Sequence, residues 1–336
     1  MRRPITRLLM TALLLAAALV GGILMGQDRK QIEEEKDKPK GQAALAVKVE
    51  QVRVDVSVRD KKDNLITGLQ AQHFEVYEDK VKQEITNFQD IDAPMTAVLL
   101  IEYSKVLAWE MLYEAWLGSH RFVQQMRPGD WVAVMAYDLR PEILVDFTQD
   151  KAEVWNALRR LNYPAFRESN LYDALFDVLD RTQEVEGKVV VVLVSSGLDT
   201  FSKKNLGETL KRVKRANATI YTVGLGGNLR ARADHRMSSS TRMDFLQADA
   251  ALKNFAKETG GESFFPRFTS AFPAIFETIS LLARNQYSIG YISSNAGSGK
   301  DDFHKIEVKV KADVDGDGKP DKFKVNHRQG WLEQDS

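Results

Sequence analysis

Six apolar residues at 189–194 run without interruption, and Ser195, Ser196 and Gly197 follow them directly. A run this rich in β-branched residues, closed by a small polar turn, predicts a strand that is buried on both faces. Helices must then cover both faces, which indicates a parallel sheet. Binding sites in open parallel sheets lie beyond the carboxyl ends of the strands, so Ser195, Ser196 and Asp199 lie where a function is expected. A plain strand-to-loop turn is the alternative.

Segments with strand and helix patterns alternate on both sides of this strand. Residues 96–103 (TAVLLIEY) predict a second buried strand, and amphipathic segments separate the strands. The polar stretch 230–242 predicts a loop, followed by a helix at 246–259. The alternation predicts an α/β domain at 93–285, with a doubly wound, mostly parallel, Rossmann-like sheet and right-handed connections.

Two segments with a two-residue hydrophobic period flank this α/β domain. Residues 46–92 include the alternating valines at 52, 54, 56 and 58, and residues 286–336 include KIEVKVK at 305–311. This period predicts antiparallel strands with one buried face. The two flanks together are expected to form one β-sandwich, with the α/β domain inserted between its halves. Two separate small sheets are the alternative.

The N-terminus predicts export from the cytoplasm. Three arginines lie within the first seven residues, and an apolar run extends from residue 8 to residue 26. This pattern is typical of a signal peptide, and the run is also long enough to cross a bilayer as a helix. Residues 1–26 are therefore a signal peptide or a membrane anchor, and the charged residues 27–45 form a linker. The rest of the chain is expected to be periplasmic, secreted or membrane-anchored.

The composition excludes several classes of function. The chain has 47 basic and 47 acidic residues, so no overall positive charge favours nucleic acid. It has no cysteine, which excludes a thiol nucleophile and a thiolate metal site. Ser195 and Ser196 lack the G-x-S-x-G frame of a serine nucleophile. We therefore expect a binding protein or a structural envelope component, and not an enzyme.

Six segments of the chain occur in a characteristic order: VDVSVRDKKDNLITGLQAQHFEVYEDKVKQEITNF (54–88), RPGDWVAVMAYD (127–138), DFTQD (146–150), LYDAL (171–175), ETGGESFFPR (258–267) and QYSIGYISS (286–294). In this order they resemble a bacterial branch of secreted proteins with a von Willebrand factor A domain. The resemblance extends over roughly residues 49–311. It implies a doubly wound α/β fold and a role in protein–protein interaction or adhesion at the cell envelope. The expected partner is an unidentified protein, and membrane contact is expected only through the N-terminal segment.

Many A domains bind a divalent cation through three loops: Asp-x-Ser-x-Ser, a threonine and an aspartate. The resemblance aligns these ligands with Glu102, Ser104 and Val106, with Ser169, and with Ser196. Mg²⁺ prefers about six hard oxygen ligands. Val106 offers no oxygen and Ser196 no charge, and losing a charge from such a site weakens binding by several kcal/mol. The sequence therefore predicts that Mg²⁺ binding is weak or absent.

The same loops are expected to carry the partner-binding surface. Glu102 is longer than aspartate and is expected to move its carboxylate outward, while Lys105 adds a positive charge that can attract a carboxylate of the partner. A solvated lysine without a partner is the alternative. A cation site of altered geometry, built from Glu102, Ser104, Ser169 and Asp199, is the rival interpretation. The expected surface residues are Glu102, Ser104, Lys105, Ser169, Ser196 and Asp199.

An aspartate-rich loop near the C-terminus predicts a weak calcium site. Asp313, Asp315, Asp317 and Asp321 occupy positions one, three, five and nine of a calcium-loop pattern. Lys324 stands at position twelve, where a bidentate glutamate belongs, and the flanking segments predict strands. Affinity is therefore expected at the weak, extracellular end, with a Kd of around 10⁻⁴–10⁻³ M. A glycine-rich hairpin turn is the alternative.

Overall fold

The computed structural model describes residues 51–107, 109–161, 166–227, 237–294, 302–314, 316 and 318–333. The predicted signal peptide or anchor at 1–26, the linker at 27–45, Asp315 and Asp317 lie outside these residues. Within the described part of the chain, none of the helices has the length and hydrophobicity needed to cross a membrane.

The described residues form strands and helices in the following order. The strands are β1 (Gln51–Arg59), β2 (Phe74–Glu78), β3 (Val81–Gln83), β4 (Ile85–Gln89), β5 (Met95–Glu102), β6 (Trp131–Tyr137), β7 (Pro141–Thr148), β8 (Lys188–Ser195), β9 (Ala218–Gly224), β10 (Ser263–Phe264), β11 (Tyr287–Ile292), β12 (Phe303–Val310), β13 (Lys324–His327) and β14 (Gly330–Leu332). The α-helices are α1 (Trp109–Gln124), α2 (Lys151–Leu158), α3 (Leu171–Arg181), α4 (Leu206–Arg215), α5 (Ser239–Thr259) and α6 (Phe272–Arg284). Short 3₁₀ helices lie at Ala71–His73 and Thr269–Ala271.

A six-stranded sheet with the order β10-β9-β8-β5-β6-β7 is the centre of the α/β domain. Its strands are parallel except β7, which is antiparallel to β6. All eight residues of β8 are buried, as its apolar run predicts. Hydrophobic side chains of α1, α2 and α6 cover one face of the sheet, and those of α3, α4 and α5 cover the other. The predicted doubly wound, mostly parallel α/β fold is confirmed.

The two flanking segments pair with each other to form a β-sandwich. One sheet has the order β13-β1-β11-β4 and the other β14-β12-β2-β3, so each sheet contains strands from both flanks. The valines of β1 at 52, 54, 56 and 58 share one hydrophobic core with residues of β2, β11, β12 and β14. Because each sheet mixes both flanks, the alternative of two separate small sheets is wrong.

The sandwich contacts the amino ends of the parallel strands. Lys188, the first residue of β8, donates from Nζ to the carbonyl of Gln286 at 2.8 Å and to that of Arg284 at 3.3 Å. The buried Arg328 donates to the carbonyl of Ala216, just before β9, at 3.1 Å. The carboxyl edge of the sheet, where β5 ends at Glu102, therefore lies on the side away from the sandwich.

The structure differs from the sequence prediction most clearly at α5. This helix begins at Ser239, so the last part of the predicted loop at 230–242 is helical and the helix starts before residue 246. Ser238 caps it by accepting a hydrogen bond from the Thr241 amide at 3.1 Å. The first buried residue is Phe245, so the first turn has no hydrophobic periodicity and resembles a polar loop in sequence.

Candidate functional site

Glu102 ends β5, and its carboxylate turns inward to the end of the neighbouring strand β8. Oε2 accepts hydrogen bonds from Ser195 Oγ at 3.0 Å, from Ser196 N at 2.6 Å and from Ser196 Oγ at 2.8 Å. Oε1 accepts one from Ser104 Oγ at 2.7 Å. The side chain is fully buried, so the expectation that its greater length moves the carboxylate outward is wrong. The serine hydroxyls provide the donors that turn it inward.

A chain of hydrogen bonds connects three strands through this carboxylate. The hydroxyl of Tyr137, at the end of β6, donates to Ser195 Oγ at 2.8 Å, and Ser195 Oγ donates to Glu102. Burial raises the pKa of Glu102, and its hydrogen bonds partly oppose that rise. Burial and the nearby Glu102 charge raise the pKa of Tyr137. The ends of β5, β6 and β8 are therefore held together by one buried polar network.

Ser169, on the second loop, is buried against the third loop. Its amide donates to Thr200 Oγ1 at 2.9 Å, and its carbonyl accepts from the Thr200 amide at 2.8 Å. Its own Oγ makes no hydrogen bond within the described residues. Ser169 therefore joins two loops mainly through its backbone.

Asp199 stabilises the start of α3. Its Oδ1 accepts hydrogen bonds from the Tyr172 amide at 3.1 Å and from Ser202 Oγ at 2.5 Å. Tyr172 is the second residue of α3, where the amides lack partners within the helix and a negative charge is favourable. Burial raises the pKa of Asp199, which is partly exposed. Its main contacts are those of a helix cap.

Lys105, Phe166 and Phe201 are among the side chains on these loops that are open to solvent. Lys105 is exposed, and its amide donates to the Phe166 carbonyl at 2.8 Å. Phe166 is 42% exposed and Phe201 is 60% exposed, and the amide of Phe201 donates to the Ser169 carbonyl at 3.3 Å. The two phenylalanines were not among the surface residues expected from the sequence. The only signal was a bulky apolar residue within a polar loop, which is weak because exposed single hydrophobes are common.

The residues that the resemblance aligns with the cation ligands of A domains do not fit Mg²⁺. Both carboxylate oxygens of Glu102 already accept hydrogen bonds from serine side chains or backbone. Val106 offers no oxygen, and Ser196 uses its hydroxyl to donate to Glu102. A hard divalent cation needs several charged or polar oxygens that are free to coordinate it.

The aspartate-rich loop is closed by its own carboxylates. Asp313 accepts from the Gly316 amide at 2.7 Å and from the Gly318 amide at 2.8 Å. Asp321 accepts from the Val314 amide at 2.8 Å. Asp313 and Asp321 thus lie on one tight loop, whereas Asp315 and Asp317 are outside the described residues. These contacts occur both in calcium loops and in plain polar turns.

A second group of potential metal ligands lies in the sandwich. One ligand atom each from Glu78, Asp79 and His304 lies within 4.8 Å of the others, and this group could hold a metal ion. Glu78 is buried and accepts from the Tyr291 hydroxyl at 2.7 Å and from Trp331 Nε1 at 2.8 Å. His304 Nδ1 lies 2.8 Å from Asp79 Oδ2. This group was not expected from the sequence, because His304 lies more than 200 residues after the adjacent Glu78 and Asp79.

Comparisons with known proteins match part of the chain to one family model. The model of the von Willebrand factor type A domain matches residues 113–198. No curated protein matches the sequence. The solved von Willebrand factor type A protein of Catenulispora acidiphila is 10% identical, with 87% of this chain and 77% of that chain covered and a TM-score of 0.44. The vWF domain of the type V pili tip protein Mfa5 of Porphyromonas gingivalis is 16% identical, with coverages of 56% and 96% and a TM-score of 0.44. An aerotolerance-related membrane protein of Bacteroides fragilis is 15% identical, with coverages of 57% and 98% and a TM-score of 0.41.

Proposed function

Because the chain contains a von Willebrand factor type A domain, we propose that it is a protein-interaction module whose partner binds at the carboxyl edge of the parallel sheet without a bridging cation. The observation that carries this proposal is the buried carboxylate of Glu102, which accepts four hydrogen bonds from Ser104, Ser195 and Ser196. This network takes the place of a metal ion as the group that holds the first and third loops together. No catalytic role is assigned to these residues.

The buried and exposed residues of the predicted surface have different roles in this proposal. Four of the predicted surface residues are buried: Glu102, Ser104, Ser169 and Ser196. They hold the loops in shape, and other side chains contact the partner protein. Lys105, Phe166 and Phe201 are exposed on the same loops. An exposed cation and two exposed aromatic rings on the same loops suit a partner surface that has a carboxylate among apolar side chains.

We propose that the protein acts outside the cytoplasm, at the cell envelope. This rests on the N-terminal sequence, in which a basic start precedes an apolar run at 8–26. In this arrangement the linker at 27–45 separates the folded part, with its α/β domain at 93–285, from the membrane or from the cleaved signal. Weak calcium binding at 313–321 belongs to the same proposal, since extracellular calcium concentrations match weak sites.

Site-specific cross-linking in intact cells tests the proposed surface. A photo-reactive phenylalanine analogue is placed at Phe201, and the matched control is the same analogue at Phe303, which is exposed on the sandwich. We expect a distinct cross-linked protein from position 201 only. Its yield should be the same with excess EDTA as with Mg²⁺. Its yield should be lower in Lys105→Glu. Equal products from both positions would instead favour a structural envelope component. A product that EDTA abolishes would contradict cation-independent binding.

A further inference from the structure

Helix α1 carries a row of aromatic side chains that is only partly covered by the core. Trp109, Tyr113, Trp116 and His120 follow one another at spacings of four, three and four residues, which places them on one face of the helix. Trp109 is 50% exposed and Tyr113 is 49% exposed. The buried side of the same helix, which includes Met111 and Ala115, packs against the sheet. The first two rings of the row are therefore open to solvent, while Trp116 packs against the core and His120 stacks on Trp155.

This row of rings forms one wall of an apolar cleft. The cleft has a volume of about 170 Å³ and extends from Trp109, Tyr113 and Trp116 to Leu158 and Tyr103. An apolar protein cavity of about 150 Å³ takes up benzene, so this cleft has room for one aromatic ring or a branched aliphatic side chain. Tyr103 lies in the first loop, between Glu102 and Ser104, so the cleft begins at the carboxyl edge of the sheet.

The charge at the cleft is positive. Among the described residues that line it, Arg159 is the one with a charge, and its guanidinium donates to Asn156 Oδ1. In the described part of the chain no carboxylate lies within ion-pair distance of Arg159 or of the exposed Lys105. A neighbouring cavity of about 230 Å³ also has Tyr103 in its lining. Its charged lining residues are Arg140, Arg160, Asp138 and Glu142.

We propose that this aromatic cleft binds a segment of a partner protein that presents an aromatic or branched aliphatic side chain next to a carboxylate. The apolar walls accept the side chain, and Arg159 pairs with the carboxylate through its planar guanidinium. Buried tryptophan, tyrosine and arginine contribute most of the binding energy in many interfaces, and the cleft presents all three. This inference rests on the proposed function, because the cleft extends the same loop surface and names the chemistry of its partner.

Small-molecule probes and NMR of the indole N–H groups test the cleft directly. The probes are indole-3-propionate, which has a ring and a carboxylate; tryptamine, which has a ring and an amine; and propionate, which has only the carboxylate. We expect indole-3-propionate to shift the Trp109 and Trp116 signals and to leave that of Trp131, at the amino end of β6, unchanged. The other two probes are expected to bind more weakly. Arg159→Gln should weaken indole-3-propionate about fivefold, the effect of one exposed ion pair.

Peptides selected from a phage-displayed random library against the purified protein test the partner class. We expect the selected peptides to carry an aromatic or branched aliphatic residue beside Asp or Glu and to lose binding in Trp109→Ala. Selected peptides that lack an acid would overturn the proposal, and so would NMR shifts from tryptamine as large as those from indole-3-propionate. Shifts caused by the sugar cellotetraose, with none from indole-3-propionate, would also overturn it, because they would assign the cleft to a carbohydrate. Shifts that appear only as the protein concentration rises, together with dimers in sedimentation, would assign the cleft to a second copy and also overturn it.

The two proposals fail separately. Unshifted probes together with a cross-linked product from position 201 would remove the cleft and keep the loop surface as the interaction site. Selected acidic peptides that bind while position 201 yields no cellular partner would keep the chemistry of the cleft and remove the proposed cellular interaction.

Discussion

The backbone amide of Ser196 lies 2.6 Å from Oε2 of Glu102, although 94 residues separate them in the chain. This contact joins the carboxyl ends of β5 and β8, the two strands at the centre of the parallel sheet. In a metal-binding A domain a cation joins the corresponding loops, so the strength of the link between them depends on bound ions. Here the link consists of a carboxylate and its hydrogen-bond donors, so the strength of the link should depend on pH.

The first prediction concerns that dependence on pH. Burial raises the pKa of folded Glu102 above the ordinary value of 4.5, so the folded protein holds this proton more tightly than the unfolded chain does. The corresponding stability is present at low pH and is lost as pH rises through the folded pKa. Glu102→Gln mimics the neutral form, so its free energy of unfolding should rise relative to wild type as pH increases above about 4.5.

Urea unfolding of both proteins across that pH range measures this difference. Tyr137→Phe is the matched control, because it removes one hydrogen bond to Ser195 and keeps the Glu102 carboxylate. It should lower the free energy of unfolding by about 1 kcal/mol and keep the wild-type dependence on pH. If the free energies of unfolding of wild type and Glu102→Gln differ by the same amount at all pH values, burial does not shift the pKa of Glu102.

The turn after β8 depends on a glycine that packs against α5. Gly197 has a φ of +79°, and a Cβ added there would lie 2.8 Å from the Ala248 carbonyl oxygen. Gly187 has a φ of +78°, and a Cβ there would meet nothing within 4 Å. Gly187→Ala should therefore lower the free energy of unfolding by about 1–2 kcal/mol through backbone strain alone. Gly197→Ala should lower it by roughly a further 1–3 kcal/mol because of the contact, and equal losses in thermal denaturation would contradict this.

The strands of the α/β domain could be predicted because their buried positions form continuous apolar runs. β5 (Met95–Glu102) differs by one residue at each end from the strand predicted at 96–103, and β8 (Lys188–Ser195) contains the apolar run at 189–194. The short strands β3 and β14 were missed, since three residues carry too little periodicity to predict a strand. The prediction of one sandwich succeeded because each flank alone offers too few strands to cover its hydrophobic face.

The position of the candidate site could be predicted from the sequence, but the predicted direction of the Glu102 carboxylate was wrong. Parallel strands end at the same edge, so Glu102 and Ser196 were expected near each other. The direction of the Glu102 carboxylate depends on donors from a different strand, and residue spacing carries no information about that choice. The aromatic row beginning at Trp109 was also not recognised as a surface, because its spacing is the same as that of a buried helix face.

The buried amine of Lys188 should make stability rise at high pH. Burial lowers the pKa of folded Lys188 from 10.5 to about 8, so between these values the unfolded chain holds more protons than the folded protein. The free energy of unfolding should then rise by up to about 3 kcal/mol from pH 8 to pH 10.5. Lys188→Met removes this contribution, so the rise in its free energy of unfolding over the same pH range should be smaller by up to about 3 kcal/mol. Parallel denaturation curves for the two proteins over this range would contradict the prediction.

The aspartate-rich loop should bind calcium weakly through its carboxylates. The Gly316 and Gly318 amides donate to Asp313, so their NMR signals report on any cation that binds Asp313. We expect both signals to shift with a Kd of about 10⁻⁴–10⁻³ M, and Asp321→Asn should weaken that binding. Asp60→Asn is the matched control, because Asp60 closes another exposed turn by accepting from the Lys62 and Asn64 amides. Signals that do not move in millimolar calcium would leave the loop as a plain turn.

The last prediction is that Mg²⁺ binding can be restored only by replacing the carboxylate network. Wild type should take up no Mg²⁺ in calorimetry, because the Glu102 oxygens already accept four hydrogen bonds. Glu102→Asp with Val106→Ser and Ser196→Asp shortens the first acid, adds an oxygen and adds a second carboxylate. This triple variant should bind Mg²⁺ with a stoichiometry of about one, since two charges and free oxygens suit a hard cation.

The single change Glu102→Asp is the matched control for that variant. It shortens the acid while Ser196 keeps its neutral hydroxyl, so the site should still lack the charge that a divalent cation needs. The triple variant should also gain thermal stability on addition of Mg²⁺, because the ion binds only the folded loops. Stoichiometric Mg²⁺ uptake by wild type that Glu102→Ala abolishes would instead mean that the cation displaces the serine donors, and the cation-independent surface would then be wrong.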